Sequence, residues 1–150
     1  MPGEQEQRVA RRIRDVLESP ATRYWVKTVL ELGLLRDPVE AADDARTLAS
    51  VLKEWCTGVF LASRQPLEES ERTVSSIERL LMTHDHSDWL RTALQLALHR
   101  DPVDAAADAE MVEDLLSARC AAILECDVAE INRDREVPAQ LHLALPARDR

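Results

Sequence analysis

The segment RDPVEAADDA at residues 36–45 returns as RDPVDAAADA at residues 100–109. The match continues on both sides of this segment. Without a gap, residues 8–63 aligned with residues 72–127 share 18 identical positions at a constant offset of 64. These positions include the pairs Trp25/Trp89, Leu52/Leu116 and Cys56/Cys120. A gapless match of this length predicts that the chain contains two copies of one structural unit.

The repeated segment has the composition of a helix start. Asp37 and Asp101 each precede a proline, and aspartate at the N-cap followed by proline at the first helical position is typical of helix N-termini. Arg36 and Arg100 precede the caps and are placed to pair with carboxylates of the next turns. An alternative is that the two turns line a shared ligand site, in which Arg36, Asp37, Arg100 and Asp101 would be the binding residues.

Each unit is predicted to contain three helices, because apolar residues recur at helical spacing and no segment alternates in the manner of a strand. The predicted helices span residues 4–18, 20–35, 38–63, 69–82, 86–99 and 102–131. The second helix is so apolar that we place it at the centre of the fold. Two units bury more surface face to face than as a short solenoid. The predicted fold class is therefore all-α, a six-helix bundle of two tandem three-helix repeats with pseudo-two-fold symmetry.

The length of 150 residues suits one compact domain. We expect a single helical domain over residues 1–150, with repeat unit 1 at about 4–63 and repeat unit 2 at about 71–131. A proline-containing linker would cover residues 64–70. Residues 132–150 are expected to form a C-terminal tail, because two prolines and a high charge density follow the last predicted helix.

Composition argues against several classes of function. The net charge of −9 disfavours binding to nucleic acid, whose phosphates require a basic surface. No apolar segment reaches the length of a membrane span, and the first twelve residues lack the apolar core of a signal peptide. Three cysteines without a disulfide-scaffold spacing fit a reducing compartment. We therefore expect a cytoplasmic protein that binds neither nucleic acid nor membrane.

The stretch THDHSDW at residues 83–89 is the most chemically suggestive one. His84, His86 and Asp88 are candidate metal ligands if the loop folds around an ion. The alternative is a polar helix start, and it is favoured because the first unit has no ligand at these positions. Glycine-rich phosphate loops and the common nucleophile and zinc motifs are absent from the sequence. We predict no catalytic residue, no cofactor and no enzyme activity.

Two aromatic residues depart from the repeat. Trp55 and Phe60 stand where the second unit has Arg119 and Leu124. They are candidate partner-binding residues, although packing against the core is the simpler interpretation. The predicted function is a non-enzymatic helical interaction or regulatory protein that presents helix faces to an unidentified protein partner or to itself, with a possible homodimer. The alternatives are a small-ligand or metal-binding bundle with a site between the repeats, and an acidic decoy for a basic protein.

Overall fold

A computed structural model describes the backbone of residues 2–62, 77–83 and 85–143, and the side chains of residues 3–60, 77–83 and 85–125. Over these residues the chain is all-helical, with six helices and no strand. The helices are α1 (Pro2–Glu18), α2 (Tyr24–Leu34), α3 (Pro38–Ala62), α4 (77–82), α5 (Asp88–Ala97) and α6 (Pro102–Leu143). The all-α prediction is confirmed. The predicted linker at 64–70 and the last residues of the predicted tail lie outside the described residues.

The repeated aspartates begin α3 and α6 as their sequences predict. Asp37 Oδ1 accepts hydrogen bonds from the backbone N–H groups of Val39 and Glu40, at 2.9 and 3.2 Å. Asp101 makes the same two bonds one unit later, again at 2.9 and 3.2 Å. Each bond satisfies a donor that the first helical turn leaves without an intrahelical partner.

Several predicted helix boundaries differ from the structure. α2 begins at Tyr24, not at residue 20, because Ser19–Thr22 closes a turn in which Thr22 N–H donates to the Ser19 carbonyl at 3.3 Å. α5 is shorter than predicted and starts after Ser87, whose hydroxyl caps it. α6 continues past residue 131 to Leu143, so the first residues of the predicted C-terminal tail are helical.

The centre of the molecule is the pair α3 and α6, which contact each other more extensively than any other two helices. This corrects the expectation that the second helix of the unit is central. The contacting faces carry buried residues at positions that match across the repeat: Ala41, Ala45, Leu48 and Leu52 on α3, and Ala105, Ala109, Val112 and Leu116 on α6. Alanines at the crossing let the two backbones approach closely. The alanines of the repeated segment therefore serve helix packing.

α2 and α5 form a second pair joined by their tryptophans. Trp25 Nε1 donates to the Ala93 carbonyl at 3.3 Å, and Trp89 Nε1 donates to the Val29 carbonyl at 2.9 Å. Both bonds are buried. The start of each helix thus lies beside the middle of the other, so the two helices run antiparallel. Gly33 allows α2 to pack closely against α6, since a Cβ at this position would lie 3.1 Å from Leu116 Cδ1.

Candidate functional site

The two turns that repeat in the sequence each supply an arginine to an ion pair. Arg36 pairs with an aspartate of α3, and Arg100 pairs with an aspartate of α6. Arg36 Nη1 lies 2.6 Å from Asp44 Oδ2, and the Ser87 hydroxyl donates to the same oxygen. In the second half Arg100 Nη2 binds Asp108 Oδ2. Each carboxylate therefore receives an arginine from its own unit and a polar group from the other.

The second cluster carries one more cation than the first. Arg23 stands 64 residues before Ser87, and its Nη1 lies 3.0 Å from Asp108 Oδ1 while its Nη2 lies 3.0 Å from Asp104 Oδ1. The hydrogen bond to Asp108, with the charge of that carboxylate, raises the pKa of the Arg23 guanidinium. Arg23 precedes α2 without making a side-chain cap, whereas Ser87 caps α5 by accepting from Leu90 N–H at 3.1 Å. The two halves thus differ in charge at equivalent places.

The arginines also stack on the tryptophans of the other unit. The guanidinium carbon of Arg100 lies 5.2 Å from the Trp25 ring centroid, and that of Arg36 lies 5.8 Å from the Trp89 ring centroid. Both distances are within the range of a cation–π interaction. The four residues proposed from the sequence as ligand-binding are therefore engaged in capping, ion pairs and stacking. Of them, Arg100 also lines an open cavity.

This cavity has a volume of about 350 Å³ and lies on the outer side of the α2–α5 pair. Tyr24 and Thr28 of α2 face Leu96 of α5 across it, and Arg23 and Arg100 form its charged edge. Tyr24 is 84% exposed, and Leu96 is 45% exposed. An apolar face of this kind, with polar residues at its edge, is typical of an interaction site.

We define the α2–α5 seam as Tyr24, Thr28, Leu32, Thr92 and Leu96. Leu32 lies two turns after Tyr24 on the same side of α2, and it is exposed to the same 45% as Leu96, its counterpart in the repeat. The apolar composition of this helix predicts that it is mostly buried at the centre of the fold, and it does not predict that Tyr24 and Leu32 are exposed. The spacing of the residues already separates the two sides of α2. Positions 24, 28 and 32 lie along one side of the helix, and Trp25 and Val29 lie along the side that faces the core.

A second cavity, the α1–α6 groove, has a volume of about 250 Å³. Val9 and Ile13 of α1 and Ala122 of α6 are buried and form its walls. Arg119 and Glu6 are its two charged lining residues. The groove thus combines an apolar interior with a cation, and its walls come from both halves of the chain.

Of the remaining residues singled out from the sequence, those that the structure describes line neither of these two cavities. Trp55 is half-buried and packs against the core, while Phe60 is 60% exposed further along α3. His86 is half-buried, and the Asp88 side chain is fully exposed, 3.9 Å from Arg91. His84 lies outside the described residues, so the metal hypothesis stays a prediction. Among the residues that the structure describes, no three His, Cys, Asp or Glu side chains form a metal-binding group.

Comparison of the chain with protein-family models, with curated proteins and with solved structures gave no match. Within the described part of the chain, no helix is both long and apolar enough to cross a membrane.

Proposed function

We propose that the protein is a non-enzymatic helical interaction protein and that its α2–α5 seam binds the seam of a second copy. The observation that carries this proposal is the exposure of Tyr24, Leu32 and Leu96 on one face of an otherwise well-buried helix pair. Covering these side chains removes apolar surface from water, which is the main driving force of protein association.

The proposal includes a tandem repeat with an approximate two-fold axis within the chain. Three reciprocal sets of contacts support it: the indole–carbonyl bonds, the arginine–tryptophan stacking, and the paired Arg–Asp bridges. For the Arg–Asp bridges, adding 64 to both residue numbers of one contact gives the other. For the indole–carbonyl bonds and the stacking, adding 64 to one residue number and subtracting 64 from the other does so, as expected when two equivalent units exchange places. A face that lies across such an axis presents similar apolar residues at both ends, which suits the self-complementary interface of a symmetric dimer.

The charges at the two ends of the seam favour one orientation. Arg23, half-exposed, lies beside Tyr24, whereas Asp88, fully exposed, occupies the position of Tyr24 in the second unit. A second copy turned end for end brings each Arg23 towards an Asp88. Exposed ion pairs contribute little to affinity, so we expect them to select the orientation while Tyr24 and the leucines supply the binding energy.

The test is sedimentation equilibrium of the wild-type chain and of two variants with the same charge change. We expect the wild type to dimerise at micromolar concentrations and Leu96→Glu to be monomeric, because the new carboxylate would be desolvated within the interface. Met111→Glu is the matched control, since Met111 is 43% exposed on α6 and lies outside the seam. A wild-type chain that stays monomeric at high concentration, or a Met111→Glu variant that dissociates as Leu96→Glu does, would contradict self-association through the seam.

A further inference from the structure

One large side chain of the first unit is replaced in the second unit at a position that lines the α1–α6 groove. Arg119 at the groove stands where the first unit has Trp55. Trp55 is half-buried and packs against the core. Arg119 also has no ion-pair partner among the described residues. An arginine lays its stem along apolar surface and keeps its guanidinium towards water, and at Arg119 the apolar interior of the groove remains open beside it.

From this difference we infer that the α1–α6 groove binds a small aromatic carboxylate. The aromatic ring would occupy the apolar interior between Ile13 and Ala122, and the carboxylate would pair with Arg119 at the groove. The volume of about 250 Å³ lies just below the range of about 300–1,000 Å³ for drug-sized ligands, which indicates a ligand of one or two fused rings.

Three properties of the groove favour this class of ligand over an uncharged or a cationic one. The buried walls at Val9, Ile13 and Ala122 provide apolar contacts. Arg119 provides a planar cation that binds carboxylates through two N–H groups and stacks on aromatic faces. Glu6, the other charged lining residue, already has an interaction of its own. Arg119, which has no ion-pair partner in the described part of the chain, is therefore the group that would bind a flat anion.

Isoleucine methyl groups give a direct readout of the site in the full-length protein. Ile13 and Ile123 line the groove, while Ile77 is the counterpart of Ile13 in the second unit and is buried away from it. We would label the isoleucine δ1-methyl groups, titrate 2-naphthoate and follow the chemical shifts. The expected result is a saturable shift of Ile13 and Ile123 with Ile77 unchanged.

Two variants separate the contribution of the cavity from that of the charge. Arg119→Trp places the residue of the first unit in the groove and should abolish the shifts. Arg119→Met keeps the length of the side chain, removes the charge and should weaken 2-naphthoate binding about tenfold, while leaving the weaker binding of uncharged naphthalene unchanged. Arg46→Met, at an exposed arginine of α3, is the control for removal of a cation and should bind as the wild type does.

Several outcomes would overturn the inference. They are the absence of any shift in the wild type, an equal shift of Ile77, and unchanged binding in Arg119→Trp. Should Arg119→Trp fail to fold, Ala10→Leu at the exposed edge of the groove narrows it instead and must also weaken binding. Shifts of Ile13 and Ile123 that follow protein concentration alone would show that a second copy covers the groove. Repeating the titration in Leu96→Glu keeps this result separate from the pairing of the seam.

Discussion

Asp108 is the residue on which the second half of the bundle depends most. It is 6% exposed and binds both Arg100 and Arg23, whereas its counterpart Asp44 is more exposed and binds Arg36 and Ser87. A buried carboxylate needs such partners, because burying a charge without them is costly. Because Asp108 raises the pKa of Arg23, the ion pair between the two residues gives its full stabilisation at neutral pH. It would be lost only in strong base, as the pH rises through that pKa.

We predict that Asp108→Asn lowers the free energy of unfolding by about 3 kcal/mol, because it leaves the largely buried Arg100 without a countercharge. The Nη1 of Arg100 is already buried without a hydrogen-bond partner in the described part of the chain, so the guanidinium has no alternative to Asp108. Asp44→Asn is the matched substitution and should cost about 1 kcal/mol, since Asp44 and Arg36 are better solvated. Urea unfolding of the two variants measures the difference. Equal losses would show that burial does not distinguish the two clusters.

At the scale of the helices, features that depend on residues within one turn were predicted more often than features that depend on how distant helices pack. The starts of α3 and α6 followed from Asp37 and Asp101, because a cap involves only residues within one turn. The start of α2 did not follow from Ser19, because a turn competed with the helix for the same backbone groups. The seam was also missed, since the exposure of Leu32 depends on where α3 and α6 lie. That placement depends on alanines at a crossing between distant parts of the chain.

We expect Asp37→Ala and Asp101→Ala each to lower the free energy of unfolding by about 1 kcal/mol, because each removes the acceptor for two N–H groups in the first turn. The two caps share no partner, so the double variant should lose about 2 kcal/mol. Asparagine is as good a cap as aspartate, which makes Asp37→Asn and Asp101→Asn the controls. Thermal unfolding followed by circular dichroism measures these losses. An alanine variant as stable as its asparagine control would mean that the cap contributes nothing to stability.

At the scale of the whole molecule, the two halves of the sequence share one core. The reciprocal bonds from Trp25 to Ala93 and from Trp89 to Val29 run between the halves, and so does the contact of α3 with α6. The proposed tandem repeat would account for the shared core, because a surface that complements a copy of itself is covered when it occurs twice in one chain. The two halves differ where Arg23 corresponds to Ser87 and where Trp55 corresponds to Arg119. At both pairs of positions the halves differ in charge and in the size of the side chain.

A core shared in this way predicts that neither half is stable alone. Chains of residues 1–66 and 67–150, made separately, should each show much less helicity than the whole protein, because Trp25, Leu48 and their counterparts would lose the surfaces that bury them. Mixed at equal concentrations, they should form a 1:1 complex with the helicity of the intact chain, which circular dichroism and native mass spectrometry would measure. The 1–66 chain carries both partners of the indole–carbonyl bond, Trp25 and Val29, so at high concentration we expect it to pair with itself. If either half alone unfolds cooperatively as a fully helical monomer, its core is its own, and the approximate two-fold relation is only a matter of docking between two independent units.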